Sequence, residues 1–164
     1  GFKLRNTGNM TELEKTIAKI YANGRRETFE DGMESEFSIA LIALVKEHKA
    51  EVLRILTSYV DDQYVNMEVF SEGLGWIGYM DDENELGIWK ERRLFLEYCL
   101  LNSLWARVKD GAGLGLASMD DPASIPTLRI AVNRESEPRW GPSLKENLQQ
   151  VLDQLIETQE GDRQ

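Results

Sequence analysis

The chain has one cysteine and one histidine in 164 residues, and these two scarcities exclude the most chemistry. A lone Cys99 cannot close an internal disulfide, and in a dense apolar stretch it reads as a buried, reduced core thiol. His48 has no second histidine or cysteine at ligand spacing, which removes a zinc site and a histidine-based catalytic triad. At the end of a helical segment, its expected role is to bond terminal carbonyls. No apolar run approaches the roughly 20 residues that a membrane helix requires, and no signal-peptide core is present, so the expected location is the cytoplasm, with no membrane partner. Positive charge is also short, with 19 Lys and Arg against 29 Asp and Glu and a net charge of −10. A phosphate-tracking surface needs a basic face that displaces counterions, so no nucleic-acid partner is expected. The charge serves solubility first, and otherwise suits a basic protein partner.

Hydrophobic residues make up 41% of the chain and charged residues 29%, enough apolar material for the core of one domain. Strand signals are weak, because the β-branched runs are short and lie inside helical periodicities; an all-α fold is expected. Residues 1–9 lack periodicity and read as a leader or upstream tail before Met10. The domain is expected over 10–157, followed by a polar, frayed tail at 158–164. Helices are expected over Thr11 to Ala22, Ser35 to His48, Ala50 to Val60, Asn66 to Met80, Leu86 to Leu101, Leu104 to Ser118, from Ile125, and over Ser143 to Ile156. Thr11, Ser103 and Ser124 are candidate caps, Pro138 to Pro142 a turn, and Trp140 a candidate exposed anchor or a seal for the last repeat. Ile39 and Ile42 widen the apolar stripe of the second helix. Leu86 to Leu101 is apolar on two sides, with Leu94, Tyr98 and Leu101 forming the second line, which predicts neighbours on both.

The organising stretch is Val108 to Pro126. Val108, Gly111, Ala112, Gly115, Leu116 and Met119 recur at three-and-four spacing, and Asp120-Asp121-Pro122 then ends the helix. A shift of about 39 positions lays Met80-Asp81-Asp82 on Met119-Asp120-Asp121, and Val69, Gly73, Trp76 and Ile77 on Val108, Ala112, Gly115 and Leu116, with only Glu72 breaking the stripe. A shift of about 36 brings Leu144, Leu148, Val151, Leu152 and Leu155 to the same face. This helix-pair period of roughly 40 residues, together with the run DPASIPTLRIAVNRE from Asp121 to Glu135, is similar to the HEAT-repeat family. The resemblance is best over Asn66 to Ile156. It implies a short right-handed α-solenoid of about three helix pairs behind an N-terminal capping pair.

Several motifs resemble chemistry without its context. Gly73 to Gly78 spells G-x-G-x-x-G, but a dinucleotide site needs a strand before it and a helix after it, and here Tyr-Met-Asp-Asp follows. The interior glycines are better used for close helix approach, although Gly75 and Gly113 fall toward the outer side and have no account in the sequence. Asp82, Asn84 and Gly87 echo a calcium loop that fails at Leu86 and Arg93; Asp81 to Glu85 reads as a solvated turn. Glu30, Asp31, Glu34 and Glu36 could pair for acid–base work, but nothing marks a perturbed carboxyl, and no catalytic set or cofactor is expected.

In HEAT arrays the second helices of successive repeats line one surface, usually concave. The resemblance therefore implies a binding face made by Glu68, Ser71, Glu72 and Tyr79, by Arg107, Asp110 and Leu114, and by Glu146, Gln149 and Asp153. The expected function is a non-catalytic protein-interaction scaffold or adaptor. Two alternatives stay open: an enzyme subunit or chaperone resembling the HEAT-like bilin lyases, and, less favoured by the acidic charge, a HEAT-like DNA glycosylase. Oligomeric state is not legible.

Overall fold

The computed structural model describes residues 9–62, 64–82, 84–135 and 143–163. Eight α-helices follow in order among them: α1 Glu12–Gly24, α2 Glu36–His48, α3 Ala50–Thr57, α4 Met67–Tyr79, α5 Trp89–Asn102, α6 Ala106–Met119, α7 Ile125–Arg134 and α8 Leu144–Asp162, with a 3-10 turn at Pro122–Ser124. No strand occurs among the described residues, so the all-α expectation holds. The expected Pro138–Pro142 turn and Trp140 lie outside the described residues.

Local side-chain caps set four of the eight helix starts. Thr11, Asn66 and Ser143 each accept a hydrogen bond from an otherwise unpaired N–H in the first turn of α1, α4 and α8. Ser35 and Ser38 form a reciprocal capping box on α2. Glu27 adds to it, its two carboxylate oxygens accepting from the Glu36 and Phe37 N–H groups at 3.0 Å each, where the helix dipole favours negative charge. Two expected caps do not form. Ser103 Oγ accepts from the Trp105 N–H, one step before α6 begins. Ser124 donates its hydroxyl to Glu97 instead, because the 3-10 turn opened by Pro122 moves the first free N–H to Ala123, where Asp121 accepts it at 2.9 Å.

Helix ends also shift from expectation, for tertiary reasons. α5 starts at Trp89 and not Leu86, since Gly87 adopts a left-handed φ of 71°. α3 stops at Thr57, although Tyr59 and Val60 remain buried in the following turn. α8 continues to Asp162, past the tail expected from residue 158, because the Thr158 hydroxyl donates to Asp120 at 2.8 Å and ties the last turns to α6.

α4, α6 and α8 lie side by side and run in the same direction. Ser71 meets Gly111 and, further along both helices, Gly78 meets Gly115. Between α6 and α8, Asn147 donates to Asp110 and Gln154 to the Ala117 carbonyl and Asp120. α5 and α7 pair in the same sense through Glu97, which accepts from Ser124 and Thr127, and through Arg134, which donates to the Leu101 carbonyl. α3 packs on α5, while α1 and α2 cover the far side of α4 with an aromatic cluster of Tyr21, Phe37, Tyr59 and Phe70. Two apolar expectations are corrected. Ile39 is 56% exposed and does not widen the α2 stripe, and Leu94 and Tyr98 are 46% and 39% exposed. α7 engages α5 along Glu97 and Leu101, so of that second line only Leu101 is covered.

One charged cluster lies inside. Arg92 of α5 is fully buried and pairs with Asp82 at 3.0 Å. Its guanidinium also donates to the Ile77, Gly78 and Met80 carbonyls, the unpaired acceptors at the end of α4. Burial lowers the Arg92 pKa, and the Asp82 carboxylate works against that shift. Asp82 is therefore no solvated turn residue: one oxygen holds Arg92 and the other accepts from the Asn84 N–H.

Candidate groove between α4, α6 and α8

The glycines decide the shape of the α4–α6 contact. A Cβ on Gly78 would sit 2.2 Å from the Gly115 carbonyl oxygen, and one on Gly111 would sit 2.3 Å from Ser71 Oγ. Only bare backbone allows so close a crossing. Gly78 stands opposite Gly115, and Trp76, expected on the buried stripe, is half-buried and lines the groove instead.

Along this crossing a groove of about 820 Å³ lies between α4, α6 and α8. Glu72, Tyr79, Arg107, Asp110 and Leu114, all expected on the binding face, line it together. Ser71 lines it as well. Tyr79 and Leu114 are 68% and 62% exposed. The Trp76 indole donates to Glu72 at 2.8 Å, and the Trp76 and Tyr79 rings meet edge to face with centroids 5.5 Å apart. Arg107 is exposed, while Asp110 accepts from Asn147 at 3.1 Å and so bridges α6 to α8.

Four expected residues do not line the groove. Glu68 is exposed in the first turn of α4. Glu146, Gln149 and Asp153 are exposed on α8 outside the lining, with Gln149 donating to Asp153 along the helix. The cause is the rotation of α8. A Cβ on Gly113 would lie 2.8 Å from Leu148 Cδ2, so Leu148 beds down on bare backbone and turns Asn147, Gln150, Val151 and Gln154 toward the groove. Gly113, which has no account in the sequence, is thereby explained; its neighbour on α8 had no signature in the chain. Trp76 and Asp31 are among the other lining residues that sequence reasoning missed; the Glu72–Trp76 spacing of four was the available signal for Trp76, and Asp31 had none.

No group of three or more His, Cys, Asp or Glu residues able to hold a metal ion occurs among the described residues. Glu30, Glu34 and Glu36 are exposed and apart from the groove, which Asp31 and Gly32 of the acidic loop reach. His48 faces Glu47 at 3.7 Å rather than the terminal carbonyls of α2. Cys99 is free and buried, and burial pushes its thiol pKa up. No helix among the described residues is long and apolar enough to cross a membrane. Comparison with protein-family models, curated proteins and solved structures finds no match.

Proposed function

We propose that this chain is a non-catalytic helical-repeat scaffold of the HEAT type that binds a partner protein in the α4–α6–α8 groove. The observation that carries the reading is the convergence of Glu72, Tyr79, Arg107, Asp110 and Leu114 on one open groove with exposed aromatic and aliphatic side chains. The parallel run of α4, α6 and α8, with α5 and α7 paired behind them, supports a solenoid, since each such helix pair buries its apolar face only against its neighbours. A protein partner and no nucleic acid suit the acidic charge and, with a cytoplasmic location, belong to the same proposal.

The test is affinity capture with the intact chain and with an Arg107→Glu, Leu114→Ser variant of unchanged helicity. Both side chains are exposed, so the changes leave the core intact. A protein retained by the intact chain and lost by the variant is the expected result. Equal retention by both removes the groove as the binding face, and a co-purifying ligand that absorbs visible light would favour the bilin-lyase-like reading instead.

A further inference from the structure

Gly75 is an interior helix glycine with no packing reason of its own. Glycine is disfavoured inside helices relative to alanine, and the other glycines of α4 and α6 are each accounted for. A Cβ would meet Tyr21 Oη at 2.8 Å from Gly73, and would come within 2.2 to 2.8 Å of a neighbouring helix from Gly78, Gly111, Gly113 and Gly115. From Gly75 it would meet only Leu114 Cδ2 at 3.7 Å, an ordinary contact. Gly75 is half-buried and lines the groove, so a side chain there would project into the groove and not into the protein.

The space above Gly75 has a defined chemistry. Trp76 and Tyr79 stand beside it as an edge-to-face pair, and Glu72, Asp110 and Asp31 bring three carboxylates into the same groove against the one guanidinium of Arg107. The Glu72 and Asp110 carboxylates each accept one bond, from Trp76 and Asn147, and a carboxylate has about four acceptor sites, so both keep capacity for a cation. Aromatic faces attract cations and also cover the aliphatic stems of long basic side chains, while carboxylates bind the charged heads.

Resting on the scaffold reading, we infer that the groove receives a basic segment of the partner protein, with a lysine or arginine stem laid across the bare backbone of Gly75 between Tyr79 and Leu114. The charge in the groove complements that occupant, as does the net charge of −10 on the whole chain. Gly75 sets the depth of the site.

The probe is a fluorescein-labelled twelve-residue peptide of alternating Arg and Ala, followed by anisotropy at physiological ionic strength, with an alternating Glu and Ala peptide as comparison. The intact chain binds the basic peptide saturably and the acidic one not at all. Gly75→Leu leaves net charge unchanged and keeps helicity and thermal stability, yet weakens the basic peptide by about tenfold or more, as loss of a central contact does. Glu72→Gln weakens it as well, while Glu160→Gln, an exposed carboxylate outside the groove lining, has no comparable effect. Equal binding by Gly75→Leu and the intact chain, equal losses from Glu160→Gln and Glu72→Gln, or no preference for the basic peptide would each overturn the inference. If Gly75→Leu loses a captured partner protein but not the basic peptide, the scaffold reading stands and the basic occupant falls. If Gly75→Leu retains both, and Arg107→Glu, Leu114→Ser also keeps the partner, both readings fall.

Discussion

Alanine substitution at two glycines of α4, three residues apart, should change stability in opposite directions. At Gly78 the new methyl would lie 2.2, 2.4 and 2.5 Å from the carbonyl oxygen, Cα and carbonyl carbon of Gly115. All three are backbone atoms, so relief requires α4 and α6 to separate by roughly 1 Å to reach ordinary contact, and a gap of that size forfeits a quarter to a half of each neighbouring dispersion contact. Over-packing of this kind costs about 1–3 kcal/mol where side chains can adjust and more where they cannot. Helix propensity returns about 1 kcal/mol. The net loss is about 2 kcal/mol or more, which lowers Tm by about 4–8 °C for a chain of this length. At Gly75 the same methyl meets only Leu114 at 3.7 Å, so Gly75→Ala keeps most of the propensity gain of about 1 kcal/mol. Both substitutions change the unfolded chain identically, so their difference isolates the folded state. Thermal and urea melts followed by far-UV circular dichroism measure it. A Gly78→Ala protein as stable as Gly75→Ala would refute the close crossing of α4 and α6.

Arg92→Met leaves Asp82 buried without its cation and should cost about 3–5 kcal/mol in urea melts; Arg92→Lys should not restore it, since one ammonium cannot span three carbonyls and a carboxylate. Burial first, then the neighbouring Tyr59 and Cys99, raises the Tyr21 pKa well above its ordinary value. The unfolded chain therefore loses this proton near pH 10 while the folded chain keeps it, so stability is full below about pH 10 and falls as pH rises beyond it, by at most about 1.4 kcal/mol per unit. Tyr21→Phe should flatten that alkaline loss and be neutral or stabilising at pH 7, because the buried hydroxyl has no hydrogen-bond partner among the described residues. Cys99 should resist iodoacetamide in the native chain and react only in urea concentrations that unfold it, given its burial and raised pKa.

Helix existence was legible in the chain because it depends on local spacing. The Thr11 cap, the helix starts at Asn66 and Ser143, the stripe through Val108, Ala112 and Leu116, and the buried Cys99 all follow from residues within a few positions of one another. The α4 and α6 parts of the groove were legible for the same reason, since Glu72, Tyr79, Arg107, Asp110 and Leu114 lie opposite or beside those stripes. Tertiary contacts decided the rest. Which α8 residues reach the groove depends on Leu148 settling on Gly113, a contact 35 positions apart that no periodicity encodes. Arg92 sits in a helix rich in charge and marks itself only through the carbonyls at the end of α4. The glycines show the division most plainly. The sequence displayed their spacing and their cost to the helix, but whether each faces a backbone, a side chain or open space is a property of the neighbouring helix, and only the packed structure supplies it.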